Sequence, residues 1–274
     1  MNIVPRAELA SWVINSIRNT LGEADIRNDV ISKHVELPTN VVLGETLVLL
    51  YKERGSKTKQ VSDYKAKVTK YINKITAPKE AGKIYLFTVA NPPEGEGAPE
   101  THYQTIILNN AEKKVYYIDP AHTEKGEEGI YAPYAVNNLI HPNLHAKGYT
   151  AQWLPVTHAA QTTEKDVFCQ TWSLYLLIQG VQLTGEEKVV IPSRVKERYQ
   201  LLINFWTSIA EKSPLFCKIL TEDFQFRVEN EIKQTLEESN TVNAENIPGI
   251  LAHYMAVNPC EFIQTLTVKD VESI

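Results

Sequence analysis

The stretch THYQTIILNNAEKKVYYIDP, residues 101–120, decides the fold. Its two runs, HYQTIIL (102–108) and KVYYIDP (114–120), are rich in β-branched and aromatic residues, and the NNAEK between them is short enough for a hairpin. The runs are therefore expected to be antiparallel neighbours. His102 opens the first and Asp119 closes the second, so two side chains 17 residues apart in sequence emerge at one edge of the sheet. A carboxylate in that place can orient an imidazole through one ring nitrogen.

Outward from the hairpin, KIYLFTVA (83–90) and YTAQWLPV (149–156) are further strand candidates. The turn-rich NPPEGEGAPET (91–101) is either an exposed connection or a rim beside His102. Residues 169–183, CQTWSLYLLIQGVQL, are apolar nearly all round, which marks a central buried helix. Toward the amino terminus, residues 6–20 set Leu9, Trp12, Val13, Ile17 and Leu21 on one helical face. Helical patterns follow at 42–53 and 60–76, the latter with Val61, Tyr64, Val68, Tyr71, Ile72 and Ile75 on one side and lysines on a solvated face. Toward the carboxy terminus, helices are expected over Ser193–Glu211 with Ser193 as cap, over Asp223–Glu238 and over Ile247–Val257. The sum is an α+β fold: a small, mostly antiparallel sheet packed on a central helix, with helical extensions at both ends. The organisation implied is a helical region at 1–80, a core of sheet plus central helix at 81–192, and a helical region at 193–274 packed on that core.

Length and composition agree. The 274 residues suffice for a substantial core without staples, and 43% hydrophobic with 22% charged residues is ordinary for a globular chain. A formal net charge of −5 gives no global basic field for a phosphate backbone, which disfavours nucleic acid as the main ligand. No window has the apolar length of a membrane span and no secretory signal is evident, so the expectation is an intracellular, cytoplasmic protein. Cys169, Cys217 and Cys260 fit neither a disulfide framework nor paired zinc spacing, so reduced thiols are expected, with Cys217 and Cys260 serving in packing.

Cys169 is different because it begins the central helix. There it meets the positive end of the helix dipole and unpaired first-turn N–H groups, which favour a thiolate. Nucleophile, base and orienting carboxylate then form a triad of Cys169, His102 and Asp119. Acyl transfer also needs a donor for the developing oxyanion. Gln161 is the first candidate and Gln152 the second, beside the Cys169 backbone N–H.

The order His, Asp, Gln and then Cys opening a helix, carried by THYQTIILNNAEKKVYYIDP and QTTEKDVFCQTWSLYLL, resembles the adenovirus-protease and SUMO-protease superfamily, the clan CE cysteine peptidases. The resemblance spans about 70 of the 274 residues. It implies a papain-like arrangement with His102 as general base, Asp119 as orienting carboxylate, Gln161 as oxyanion donor and Cys169 as nucleophile. Tyr103 stands where the family commonly has Trp, and Phe168 and Gln170 flank the cysteine in place of Asp and Gly. The flank DVFCQTWSLYLL resembles the form of the motif in proteins of large DNA viruses, which implies host cytoplasm or virion as the location. Tyr103, Trp153 and Phe168 are the substrate-side candidates, with Trp172 a further possible groove wall. The implied activity is that of a thiol endopeptidase or isopeptidase acting at glycine-rich extended segments. Its protein partners are a ubiquitin-like modifier conjugate or a viral precursor, and no metal or cofactor is needed. Two alternatives keep the same residues: a retired protease fold serving as a viral structural or scaffold protein, and a YopJ-like acetyltransferase. Among the other histidines, His122, His141, His145 and His158 cluster in sequence, with HPNLH expected as a surface loop because of Pro142 and Asn143. His158 is a rival cleft residue, and His34 is expected to be exposed.

Overall fold

The computed structural model describes residues 4–48, 57–91, 101–122, 135–163, 165–183, 186–239 and 244–274. The chain is α+β and divides into two compact units, Met1–Lys33 with Arg194–Ile274, and His34–Ser193. The first two helices thus group with the carboxy-terminal ones, while the third belongs with the sheet.

In the sheet unit, six strands pair: β1 (Val41–Leu43), β2 (Leu47–Val48), β3 (Ile84–Asn91), β4 (His102–Asn109), β5 (Lys114–Ile118) and β6 (Thr150–Trp153). Their order is β1-β3-β4-β5-β6, with β2 also beside β3. The β3–β4 and β4–β5 pairings are antiparallel, as the hairpin pattern requires. Those of β1 and β2 with β3, and of β5 with β6, are parallel, so the sheet is mixed instead of mostly antiparallel. Parallel partners are joined by distant chain segments, and no local turn signal announces them. β1 and β2 also replace the helix expected at 42–53, whose residues 49–53 lie outside those described. The apolar run VVLGETLVLL suits either element, and parallel pairing with β3 decides it for residues 41–48.

Period-two alternation gives the sheet two apolar faces. Tyr85, Phe87, Val89, Ile106, Leu108, Val115 and Tyr117 form one buried cluster with Val68, Tyr71, Ile72 and Ile75 of α3 (Lys57–Ile75). Val61 lies outside the described side chains. The hairpin turn fastens this layer: buried Asn110 donates to the Ile75 and Glu80 carbonyls at 2.8 and 2.9 Å and accepts from the Tyr149 hydroxyl at 2.6 Å. HPNLH is a short helix, α4 (His141–His145), instead of a loop. Proline is tolerated there because it stands in the first turn, where its missing N–H has no partner to lose.

The other face carries α5 (Cys169–Gly180), buried through Trp172, Leu174, Leu176, Leu177 and Ile178. Its place over β4 is marked by Thr105 Oγ1 donating to the Ser173 carbonyl at 3.2 Å. Close approach continues to the helix end, where a Cβ on Gly180 would meet Leu154 Cδ1 at 2.9 Å.

In the helical unit, α1 (Arg6–Thr20) buries Trp12, Val13 and Ile17, and Leu21 just after it, as its periodicity predicts. With α2 (Ala24–His34) it joins α6 (Val195–Lys212), α7 (Pro214–Ser239), α8 (Ile247–Met255), α9 (Pro259–Ile263) and α10 (Val268–Glu272). α6 has Arg194 at its cap position with no side-chain cap bond, so Ser193 falls one residue outside the helix. α7 begins nine residues before the expected Asp223, because Phe216, Leu220, Phe224 and Val228 extend one buried face. Arg6 pairs with Asp270 at 2.6 Å and donates to the Thr265 carbonyl at 2.6 Å, while Thr267 and Asp270 form a capping box. Cys217 of α7 and Cys260 of α9 are joined in a disulfide, which corrects the expectation of packed, reduced thiols. Two cysteines at a 43-residue spacing carry no pattern of their own, and the bridge becomes visible only when α7 and α9 bring their Cα atoms to 5.8 Å.

Denatured without reductant, the chain is therefore expected to take one equivalent of iodoacetamide, at Cys169, and three after dithiothreitol, as read by intact mass. By loop-closure entropy the bridge contributes roughly 4 kcal/mol to the helical unit, so Cys260→Ser should lower its urea midpoint accordingly.

Candidate active site

The β4–β5 register sets Thr105 opposite Ile118, and extending it by one residue places Gln104 opposite Asp119. His102 and Gln104, two apart on one strand, share a face with that carboxylate. His102 Nε2 lies 2.8 Å from Asp119 Oδ1, while Gln104 Nε2 donates to Oδ2 at 2.5 Å. The Ala121 N–H donates to Oδ1 at 2.9 Å. His122 Nε2 stands 3.9 Å from Oδ2, its ring stacked on Trp153 at 5.6 Å. His102, Gln104 and Asp119 are all buried. A carboxylate removed from water in this way requires such a ring of donors.

Cys169, 4% exposed, is the first residue of α5, and its Sγ faces the Thr101 carbonyl at 3.5 Å. It also acts on the His102 ring, helping to raise the imidazole. With Nε2 committed to Asp119, Nδ1 is the nitrogen left for the sulfur. Burial disfavours a charged His102, but the charge and hydrogen bond of Asp119, then those of Cys169, outweigh it and raise the imidazole to about 10. Burial likewise pushes Asp119 up, yet His102, the His122 charge and the Ala121 N–H hold it below its ordinary value. The result at neutral pH is a protonated imidazole beside the Cys169 sulfur.

Gln161 is buried, and its N–H donates to the Pro120 carbonyl at 2.8 Å, next to Asp119 in the chain. Its Nε2 donates to the Asp166 carbonyl, and Oε1 has no partner among the described residues. An amide nitrogen carries two N–H groups, so one remains for another acceptor. Gln152, the second candidate, is exposed on β6 and lines a cavity of about 360 Å³ with Gly180 and Val181 at the opposite end of α5.

The substrate-side candidates are placed differently from one another. Tyr103 is half-buried on β4, whereas Phe168 is fully buried and its N–H donates to Asp166 Oδ1 at 3.1 Å. Trp153 is brought against His122 and, edge-on at 5.6 Å, against Tyr117. Trp172 is wholly buried. His158 is exposed and His34 half-buried, and most of the loop before His102, residues 92–100, lies outside those described. Gln104 and Asp166 are absent from the sequence-based candidates, and His122 figures there only as one of a cluster of histidines. Gln104 was readable from strand alternation alone, since it shares His102's face, and Asp166 from its place shortly before a helix start.

Among the described residues, no group of three or more His, Cys, Asp or Glu could hold a metal ion, and no helix is long and apolar enough to cross a membrane. Comparison with family models, curated proteins and solved structures yields no match.

The charge pair has a defined pH window. His102 sits above its ordinary 6.5, so its stabilisation is full below that value and is lost as pH rises toward about 10. Asp119 sits below its ordinary 3.8, so its share is present above that value and lost on further acidification. The urea midpoint of wild type should therefore exceed that of Asp119→Asn most between about pH 4 and 6.5, with the gap closing toward pH 10. Gln104→Ala, which removes a buried donor from the carboxylate, is expected to cost about 1.5–3 kcal/mol in the same assay.

Proposed function

We propose that the chain is a cysteine peptidase of the adenovirus-protease and SUMO-protease type, with a papain-like placement of sheet and helix. One observation carries this: a buried His102–Asp119 pair at 2.8 Å whose imidazole is raised in part by the thiol that opens the buried helix. The Cys169 sulfur attacks a carbonyl carbon as a thiolate, its proton held on His102, and the oxyanion is met by the Cys169 backbone N–H and the second N–H of Gln161. The Nδ1 proton of His102 passes to the departing amine as the C–N bond breaks. Water, deprotonated by the now neutral His102, then attacks the thioester, the C–S bond breaks, and the acid leaves with thiolate and protonated His102 restored.

The burial of Cys169 and His102 supports substrates whose backbone can enter without bulky side chains. Glycine-rich extended segments meet that condition, in a viral precursor protein or at the end of a ubiquitin-like modifier. A retired fold is the second reading, favoured by the buried Phe168 and Gln170 that flank the cysteine where the family has Asp and Gly.

Iodoacetamide labelling of the native chain separates the two. A peptidase is expected to add one carbamidomethyl group, at Cys169, with His102→Ala slowing the rate at least about tenfold and Cys169→Ser abolishing it. A rate indifferent to His102 would identify the retired form.

A further inference from the structure

We infer that Asp166 is a positioning residue of the active site, fixing both the Gln161 amide and the start of α5. Its carboxylate takes two donors from the helix: the Phe168 N–H at 3.1 Å on Oδ1 and the Trp172 indole N–H at 3.1 Å on Oδ2. Its backbone carbonyl takes the Gln161 side-chain amide, and its own N–H donates to the Thr163 carbonyl at 3.0 Å. Asp166 is 3% exposed. The carboxylate thus locks the residue to the helix that presents Cys169, while the carbonyl of the same residue orients the amide. Gln161 is anchored at its other end by its N–H to the Pro120 carbonyl. Phe168, at the cap position of α5, makes no side-chain cap bond, so Asp166 supplies from two residues upstream the acceptor that an ordinary cap would provide. With its backbone tied to Pro120 and its side-chain amide to Asp166, Gln161 is preorganised and needs no rearrangement when charge develops on the substrate oxygen.

This role presupposes the peptidase proposed above, and it is tested with two reagents that differ in what they ask of the site. Iodoacetamide alkylates the sulfur by displacing iodide and passes through no oxyanion. p-Nitrophenyl acetate acylates it: a C–S bond forms, the ester C–O bond breaks, p-nitrophenolate leaves, and the tetrahedral oxygen needs a donor. Asp166→Asn turns one acceptor into a donor facing Phe168 N–H or Trp172 N–H. It should lower the acylation rate at least about tenfold while lowering alkylation less than about threefold. Gln161→Ala should show the same split, and the double variant should be no slower than the slower single variant, because both act on one donor. Where Asp166→Asn does not fold, Asp166→Ser, which keeps an acceptor for the Phe168 N–H, is expected to give the split in the same sense. Equal loss of both rates, no loss of either, or additive loss in the double variant would overturn the inference. A wild-type chain inert to both reagents would overturn the peptidase proposal as well, whereas an active wild type with an unaffected Asp166→Asn would overturn this role alone.

Discussion

A carboxylate buried beneath a sheet edge constrains everything near it. Asp119 has lost its water, and it is compensated by His102, Gln104 and the Ala121 N–H, all within hydrogen-bonding distance. This arrangement tolerates one hairpin register only. A one-residue slip of β5 against β4 would carry Asp119 to the opposite face, leaving its charge without donors and turning Val115 and Tyr117 away from the cluster they share with α3. Apolar packing and the polar site thus demand the same pairing, and each makes alternatives to the other costly.

The helix side of the site obeys the same economy of donors and acceptors. α5 starts beside the beginning of β4, where Cys169 meets Thr101 and His102, and its first turn is satisfied by an aspartate that also holds a glutamine. Elements distant in sequence converge there because each buried polar group would otherwise stand unpaired. Stability and chemistry therefore draw on the same bonds: the charge of Asp119 that anchors the sheet edge also keeps His102 protonated.

Much of this core was legible in the residues. The β4–β5 hairpin followed from two alternating runs and a short turn, and α5 from twelve residues with hardly a polar face. Their termini brought His102, Asp119 and Cys169 into one place. The flanks were less legible, for physical reasons. Residues 41–48 adopt strands only because β3 lies alongside, and although 149–156 reads as a strand, the parallel pairing of β6 with β5 across a long connection does not show in the sequence. The Cys217–Cys260 bridge depends on how α7 and α9 pack, which no spacing rule encodes. Gln104 and Asp166 look like ordinary polar residues until their carboxylate and amide partners are seen, since a buried hydrogen bond leaves no period in a sequence.

At the centre of the account is a protonated His102 held by Asp119 beside Cys169. It is tested most directly by ¹H–¹⁵N correlation of the histidine rings at about pH 7.5, with His102→Asn to assign the signal. The account predicts a His102 ring carrying protons on both nitrogens at that pH, and loss of this state in Asp119→Asn. A His102 ring that is neutral in the wild type, or that titrates near the ordinary 6.5, would contradict it.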